Sequence, residues 1–454
     1  MRKLKPAISA VAMGLVLVAG QAFAQATPEQ IARLGNDLTP FGSPRAGNAD
    51  GTIPAWTGGI TTPPAGYERG MFHPDPFADD EVLFTINAAN VDRYADRLTA
   101  GHVAMLRQYP SFHMNVYPSR RSASAPDWVY AATRRNAETS RLVAGGEGVE
   151  NAVIGVPFPF PTDAKEVMWN HKLKFRGPVG VRRMWNQAAP TTTGAYTLIR
   201  LVEELITPYS RPDAQWENLG NIHFYYLQEV LSPARLAGNV LLVHETLDQT
   251  AQSRSAWTYN PGQRRVRRAP NVAYDNPGTA SDGLRTNDNT DMFNGAMDRY
   301  DWRIVGQREM YIPYNSYRLH ADDLSVDDII RPYHINSNLA RYELQRVWVI
   351  DATLREGYRN IYKRRTFYVE ADSWQIVAVD HYDSRDQLWR VGEGHPVNYY
   401  EVPAVWTTLE VFYDLQSGRY IANGLNNDDS VHDFTFDAPS SSFTPAALRA
   451  RGTR

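Results

Sequence analysis

The spacing of apolar residues along the chain changes close to Leu173. Before this residue, apolar side chains recur every three or four positions, which is typical of helices that bury one face. The pattern and its capping residues predict helices after Thr85, from Thr99 through Leu106, over residues 127–144, and after the pair Thr162 and Asp163. We therefore expect a helical segment over residues 81–172 that packs on the body of the protein.

Beyond Leu173 the period becomes two, as in strands, and residues 342–354 alternate most regularly. Other short strands are predicted at residues 222–230, 240–247, 256–259, 264–269, 362–370, 374–382, 405–413 and 419–422. Sequential hairpins of this kind form an antiparallel meander with one face to cover. The predicted fold class is α+β: residues 173–454 form a large curved antiparallel sheet, and helices cover its concave face.

A stretch rich in Pro and Gly precedes the predicted helices. Residues 40–76 contain 7 Pro and 7 Gly, which favour extended and turn conformations over regular elements. Trp56, Tyr67, Phe72 and Phe77 are spaced through this stretch, and bulky aromatic residues are unusual in a free linker. We predict that residues 25–80 form an arm that lies over the body and inserts aromatic side chains into it.

The first 24 residues have the order of a secretory signal peptide. Arg2, Lys3 and Lys5 precede an uncharged apolar stretch at residues 7–20, and Ala22 and Ala24 flank Phe23 in a small-x-small cleavage site. The apolar stretch is short for a permanent membrane helix, and no later segment is longer. The sequence predicts export to the periplasm without a transmembrane span. A retained anchor and an outer-membrane β-barrel are the alternatives.

Charge and composition limit the classes of ligand and partner to expect. The chain has 47 basic and 50 acidic residues, and loss of the first 24 residues lowers the basic count to 44. A mildly acidic mature chain gives no general reason to bind nucleic acid. Cys is absent, which excludes disulfides and thiolate metal sites.

Common catalytic signatures do not occur in the sequence. It has no Gly-Lys pair for a phosphate-binding loop, no Gly-x-Ser-x-Gly motif and no His-Glu-x-x-His motif. The acidic stretch at residues 282–291 lacks the glycine and the closing glutamate of an EF-hand, and the histidines form no short-spaced ligand pair. We therefore predict no catalytic residues, no metal and no cofactor, and a protein that is not an enzyme.

The strongest candidate for a binding site is a hairpin at residues 257–268. An aromatic strand with Trp257 and Tyr259 meets an Asn-Pro-Gly turn and returns through an arginine-rich strand. Arginine suits anionic groups, and aromatic rings offer an apolar wall. A basic edge strand that prevents edge-to-edge pairing explains the same pattern equally well. The candidate ligand-binding residues are Trp257, Tyr259, Arg264, Arg265, Arg267 and Arg268.

This hairpin resembles the Trp-x-Tyr-x-Pro strand and turn of the periplasmic lipoprotein carriers with the LolA-like fold. The whole mature chain is more similar to a proteobacterial family of exported proteins with a domain of unknown function, related to outer-membrane lipoprotein-sorting proteins. The stretches that carry this resemblance are GNADGTIPAWTGG at 47–59, DMFNG at 291–295, IPYN at 312–315 and DSWQ at 372–375. The resemblance implies a half-open antiparallel β-barrel closed by helices, with an apolar interior that shelters acyl chains.

Together these features predict a non-catalytic periplasmic carrier for a lipid, a lipoprotein or another hydrophobic molecule, which exchanges cargo with envelope transport proteins. In this interpretation Trp257 and Tyr259 contact the apolar part of the cargo, and the arginines contact its headgroup. Two other functions fit the same sequence. One is an exported hydrolase or carbohydrate-active enzyme with paired carboxylates. The other is an envelope assembly factor that docks a partner through the arm.

Overall fold

The computed structural model describes residues 25–451, so the predicted signal peptide lies outside the described residues. The chain forms two sheets, which are antiparallel except at one parallel bridge between Tyr342 and Val116 in the larger sheet. It also forms a two-stranded ribbon, β3 (Arg141–Leu142) with β4 (Val149–Glu150). Eight α-helices accompany them in the described part of the chain: α1 (Pro28–Arg33), α2 (Val91–Tyr94), α3 (Ala100–Gln108), α4 (Asp127–Thr139), α5 (Ala164–Leu173), α6 (Tyr317–His320), α7 (Val326–Ile329) and α8 (Pro445–Arg451).

The large sheet has ten strands. They are β1 (Phe84–Ile86), β2 (Met114–Val116), β6 (Gln187–Ala188), β12 (Tyr300–Pro313), β13 (Tyr342–Leu354), β14 (Arg364–Glu370), β15 (Ile376–Tyr382), β16 (Leu388–Tyr399), β17 (Ala404–Asp414) and β18 (Arg419–Asn423). Their order is β1-β2-β13-β14-β15-β16-β17-β18-β6, and β12 also pairs with β13. From β12 to β18 the chain therefore runs as the predicted meander.

The small sheet has six strands in the order β11-β10-β9-β8-β7-β5. They are β5 (Gly180–Met184), β7 (Arg200–Ile206), β8 (Ile222–Ser232), β9 (Val240–Thr246), β10 (Ser255–Asn260) and β11 (Arg265–Arg268). All neighbours are antiparallel, and β11 is an edge strand. The predicted α+β class with curved antiparallel sheets is confirmed, and its strands are divided between two sheets.

Helix capping accounts for two accurate predictions. The Thr99 hydroxyl accepts a hydrogen bond from the His102 N–H at the start of α3, and Asp163 forms a capping box with Glu166 at the start of α5. Two other predicted helices are too long. Residues 84–86 form β1 before the four-residue α2, and α4 ends at Thr139 because the extended Ser140 leads into β3.

Nine strands are not among those that the sequence pattern predicts: the short or early strands β1 to β7, and the long strands β12 and β16. Strand β16 contains Gly392, Gly394 and Pro396, residue types that strands disfavour. It forms because β15 and β17 flank it and bury both of its faces. Strand β12 has a bulge next to Gly306, which interrupts its alternating pattern.

Helix α5 is buried along its whole length and joins the core of the large sheet. Val167, Met168 and Trp169 lie in the same apolar cluster as Phe367 and Trp374. This is the arrangement expected of a helix that covers a sheet face, and it leaves the C-terminal end of α5 facing the space between the two sheets.

The arm at residues 25–80 contains α1 and otherwise mostly turns and extended backbone. The Arg121 guanidinium holds it in place. It pairs with both oxygens of Asp372 at 2.8 Å and donates to the carbonyls of Pro44 at 2.8 Å and Arg45 at 2.9 Å. The Trp56 indole donates to the carbonyl of Ala123 at 2.9 Å. Two of the stretches that carry the family resemblance therefore meet at one buried ion pair.

Candidate functional site

The strand register fixes which side chains of the small sheet face the large sheet. Directly opposed residues of antiparallel strands share a face, and every second residue of a strand returns to it. One such row crosses the sheet through Arg183, Glu203, Gln228, Leu241, Thr258 and Arg267. We call this side, which also carries Tyr226, the inner face. Tyr226 borders a cavity together with Trp406 of the large sheet, so the inner face is turned toward that sheet.

The other side of the small sheet is covered by the C-terminal segment of the chain. Trp257, Tyr259 and Val266 pack there in one apolar cluster with Phe443 and with Leu448 of α8. This outer face is closed by side chains, so open space at the small sheet lies mainly on the inner face.

An apolar cavity of about 370 Å³ lies over strands β8, β9 and β10 on the inner face. Its volume falls in the range of small-molecule sites. Of its twelve lining residues, five are apolar, six are polar but uncharged and one, Arg235, is charged. The full lining is Gln228, Val230, Arg235, Leu236, Asn239, Val240, Leu241, Thr258, Tyr259, Asn260, Thr279 and Ala280.

A second cavity, of about 50 Å³, lies farther along the inner face, over β5, β7 and β8. We call it the charged cavity because three cations, Lys174, Arg176 and Arg183, line it together with the acids Glu203 and Asp291. This volume holds a few water molecules or one small polar group.

Asp291 is the centre of the charged cavity. Its carboxylate accepts hydrogen bonds from Lys174 Nζ at 2.6 Å, Arg176 Nε at 3.0 Å and Trp406 Nε1 at 3.1 Å. Burial alone would raise the pKa of Asp291, but the positive charges of Lys174 and Arg176 hold it well below its usual range. The carboxylate is thus fixed as an anion with its oxygens occupied, which does not suit a general acid or base.

Two charged neighbours of Asp291 have pKa values that burial shifts toward neutral pH. Desolvation, together with the charge of Arg176, lowers the pKa of Lys174 to about 7. Burial and the negative charge of Asp291 raise the pKa of Glu410 to about 7. The net charge of this region therefore changes near neutral pH.

A polar partition separates the two cavities. Gln228 borders the apolar cavity, while Tyr226 and Glu203 border the charged one. The Gln228 amide donates to Glu203 at 2.9 Å and to the Tyr226 hydroxyl at 3.0 Å, and Tyr226 donates to Glu203. Arg183 pairs with Glu203 at 2.8 Å and stacks between two indole rings, those of Trp185 and Trp406.

Residues 277–295, which we call the covering segment, contribute to both cavities. Thr279 and Ala280 line the apolar cavity, whereas Thr290, Asp291 and Asn294 line the charged one. Gln187 holds the segment through hydrogen bonds from its amide to the carbonyls of Thr279 at 2.7 Å and Ala280 at 3.0 Å. The DMFNG stretch at residues 291–295, which helped to carry the family resemblance, is therefore part of the cavity wall.

The structure divides the predicted site residues among three positions. Tyr259 is buried and borders the apolar cavity, whereas Trp257 packs on the outer face with its ring centroid 4.8 Å from that of His244. Arg264 lies in the turn with a positive φ of 50°. By register, Arg265 and Arg267 belong to the inner face and Arg268 to the outer face.

The arginines of the hairpin are exposed on the edge strand. Within residues 25–451, none of Arg264, Arg265, Arg267 and Arg268 forms an ion pair. Two of them, Arg267 and Arg265, are paired in register with Thr258 and Asn260, which line the apolar cavity. The hairpin therefore combines a rim of positive charge with the wall of an apolar space.

The sequence analysis missed the residues of the charged cavity and the covering segment. One signal was available, because only six lysines occur in the chain and three of them, Lys165, Lys172 and Lys174, fall within ten residues. All three are buried. A cluster of rare cations within and just after one helix points to a buried polar site.

Two further hollows lie against the arm. One of about 520 Å³ is bordered by Arg69, Arg182, Glu229 and Glu401, and one of about 440 Å³ includes His73. Charged residues line both, which suits water better than an acyl chain. His73 contacts His320 at 3.0 Å and Glu401 at 2.6 Å, although the sequence shows no short-spaced histidine pair. Within residues 25–451, no group of three or more acidic or histidine side chains is placed to hold a metal ion.

Comparison with known proteins identifies relatives of this chain. Residues 85–449 match the family described as "Protein of unknown function (DUF1329)". The chain is also 48% identical over 444 residues to the uncharacterized protein PA3922 of Pseudomonas aeruginosa, covering 97% of each chain. The chain belongs to the DUF1329 family. This confirms the resemblance to a family with a domain of unknown function.

Solved structures with a similar arrangement are more distant from this DUF1329 protein. A putative outer membrane lipoprotein-sorting protein domain from Vibrio parahaemolyticus has a TM-score of 0.43 and 12% identity, covering 63% of this chain and 97% of that one. A DUF1329 family protein from Desulfovibrio piger has a TM-score of 0.40 and 15% identity, covering 60% and 92%. The LolA superfamily protein NE2245 from Nitrosomonas europaea has a TM-score of 0.37 and 13% identity, covering 63% and 98%.

Among the described residues, no helix combines the length and the apolar character that crossing a bilayer requires.

Proposed function

We propose that this protein is a non-catalytic periplasmic carrier that binds a hydrophobic molecule, such as a lipid or the acyl chain of a lipoprotein, in the apolar cavity of the small sheet. The observation that carries the proposal is the cavity itself: about 370 Å³, lined by one charged residue in twelve, and placed beside the hairpin with Tyr259. A cavity of this composition favours apolar groups because it removes their surface from water.

The position of the cavity also supports the proposal. It lies at the β10–β11 end of the small sheet, next to an edge strand with exposed arginines. Guanidinium groups at the rim can bind the polar headgroup of a cargo whose apolar part lies inside. Envelope transport proteins, as donors and acceptors of the cargo, are the partners that this function requires.

The direct test is native mass spectrometry, followed by solvent extraction, of protein purified from the periplasm of its own host. The proposal predicts a co-purifying acylated or steroid-like molecule. The same protein after delipidation should bind a fluorescent fatty-acid analogue with a measurable dissociation constant.

A cavity-filling variant locates the site. Leu241 is partly buried and lines the apolar cavity, so Leu241→Trp should occupy the space and weaken binding of the fluorescent analogue at least tenfold. Leu83→Trp is the matched control. Leu83 is 60% exposed, directly precedes β1 of the large sheet and does not line the apolar cavity. If both variants bind the analogue as the wild type does, the apolar cavity is not the cargo site.

A further inference from the structure

Two exposed apolar side chains lie in the loop that joins β13 to β14. We call this loop, residues 355–363, the tip loop. Tyr358 is 48% exposed and Ile361 is 39% exposed, and they are two of the eight exposed large hydrophobic side chains in the part of the chain that the structure describes. Single exposed apolar residues are ordinary on protein surfaces. A pair within one short loop forms a small apolar surface, and the charges around it decide what it can bind.

Hydrogen bonds hold the backbone of the tip loop in place. The Arg299 guanidinium donates to the Arg359 carbonyl at 2.8 Å, and the Asp275 carboxylate accepts from the Ile361 N–H at 2.8 Å. The next residue, Tyr362, is fully buried and anchors the end of the loop in the large sheet. The two apolar side chains are therefore held in an exposed position by the fold itself.

The charges of the tip loop are mainly positive. Arg359 and Lys363 are exposed, and neither forms an ion pair with any residue between 25 and 451. Arg355 is paired with Asp301 at 2.7 Å. The one acidic residue of the loop is Glu356. Two free cations thus lie within two positions of the exposed apolar side chains.

A second exposed apolar pair has the opposite charge around it. Val82 and Leu83, directly before β1, are 41% and 60% exposed. The residues that precede them include Asp79 and Glu81, which are exposed acids. An anionic surface repels these acids and attracts the cations of the tip loop. Charge complementarity therefore selects the tip loop, and not the Val82–Leu83 pair, for contact with an anionic partner.

We propose that the tip loop docks on the surface of a bilayer that contains anionic lipids. Ile361 enters the boundary between headgroups and acyl chains, and the Tyr358 ring lies at the level of the headgroups. Arg359 and Lys363 pair with lipid phosphates, so the attraction weakens as salt is added. This inference goes beyond the proposed function, because it concerns a surface of the large sheet and does not depend on the cargo of the apolar cavity.

The position of the contact can be tested with one labelled residue, because the chain contains no cysteine. Ile361→Cys in the full-length protein is labelled with NBD, a fluorophore that brightens and shifts to the blue in an apolar environment. Phosphatidylcholine vesicles with about a third phosphatidylglycerol should produce this change, and vesicles of phosphatidylcholine alone should not. Leu83→Cys with the same label is the matched control and should not respond. An unchanged signal at Ile361→Cys, or an equal response at both positions, would overturn the inference.

The role of the charges is tested by sedimentation of unlabelled protein with the same vesicles. Arg359→Gln combined with Lys363→Gln should weaken binding to the anionic vesicles at least tenfold. Arg107→Gln combined with Arg135→Gln is the matched control, because it removes two exposed arginines from helices α3 and α4. It should bind as the wild type does. Equal losses in the two double variants would show that net charge, and not the tip loop, attracts the protein to the vesicles.

Two further variants separate docking from cargo uptake and from misfolding. Tyr358→Ser combined with Ile361→Ser should also weaken vesicle binding at least tenfold, with an unchanged melting temperature because both side chains are exposed. Leu241→Trp fills the apolar cavity and should sediment with the vesicles as the wild type does. Loss of vesicle binding in Leu241→Trp would mean that the signal reports lipid uptake, which supports the proposed function and overturns docking by the tip loop.

Discussion

Arg390 of the large sheet pairs with Asp414 at 3.1 Å, and Glu393 accepts hydrogen bonds from Tyr342 at 2.7 Å and Tyr413 at 3.0 Å. On the small sheet, the Arg183–Glu203 pair is likewise buried, but it borders a cavity. Both sheets are largely antiparallel and both contain buried ion pairs. They differ in packing: the small sheet keeps open space along its inner face.

The difference in packing is visible strand by strand. Every residue of β15 and β17 is buried, and their side chains, with helix α5, fill the space next to the large sheet. The small sheet borders the apolar and charged cavities and ends in an exposed basic edge strand. A filled sheet contributes stability, while a sheet with space on one face can accept a ligand.

The largest expected effect concerns the paired charge that holds the arm to the large sheet. Arg121→Met leaves Asp372 buried without its cation, which should lower the free energy of unfolding by about 3–5 kcal/mol. Urea denaturation followed by tryptophan fluorescence measures the loss. Arg385→Met is the control, because the Arg385 side chain is 77% exposed in its pair with Asp383 and should contribute little. Equal stability of both variants would contradict the structural role of the Arg121–Asp372 pair.

A smaller effect is expected for a buried cation beside the covering segment. Lys172 lies over the Trp169 ring and donates to the Gly295 carbonyl. Burial lowers its pKa to about 8, although the negative charge of Glu245 opposes this shift. Below pH 8 the folded and unfolded chains are both protonated there, so the burial penalty is fully present. Between pH 8 and the ordinary lysine pKa of 10.5, the folded state loses its proton first and the penalty decreases.

The wild type should therefore gain roughly 3 kcal/mol of unfolding free energy over this pH window relative to Lys172→Met, in which the titrating group is absent. At pH 7 the variant should be the more stable protein. Urea denaturation of both delipidated proteins at several pH values between 7 and 10.5 measures the difference. Parallel stability profiles would show that the negative charges of Glu245 and Glu147 fully offset the burial penalty of Lys172.

The smallest expected effect on stability concerns the edge of the small sheet. Replacement of Arg264, Arg265, Arg267 and Arg268 by Gln removes exposed charges without ion pairs, so the free energy of unfolding should change by less than about 0.5 kcal/mol. The uncharged edge should instead self-associate, which analytical ultracentrifugation detects as dimers and larger species. A large loss of stability would mean that these four arginines stabilise the fold as the paired charges of the large sheet do.

The sequence allowed the meander and its helix caps to be predicted because their signals are local. Alternating residues 342–354 and the capping residues Thr99 and Asp163 act within a few positions of the element they define. The division into two sheets depends on which edges pair, and no local pattern encodes that. The same limitation applies to the site: Lys174 and Asp291 are 117 positions apart, and their contact becomes visible only in the folded chain.

The Arg121 anchor has a consequence for the order in which the chain acquires structure. The arm is synthesised first, but its anchor forms only when Arg121 meets the Asp372 carboxylate, which lies 251 residues after Arg121 in the chain. Contacts of such sequence separation form slowly, because a long loop must close before they add any stability. The arm should thus be the last part to become ordered, and its aromatic side chains stay exposed to chaperones and proteases until the β14–β15 hairpin has formed.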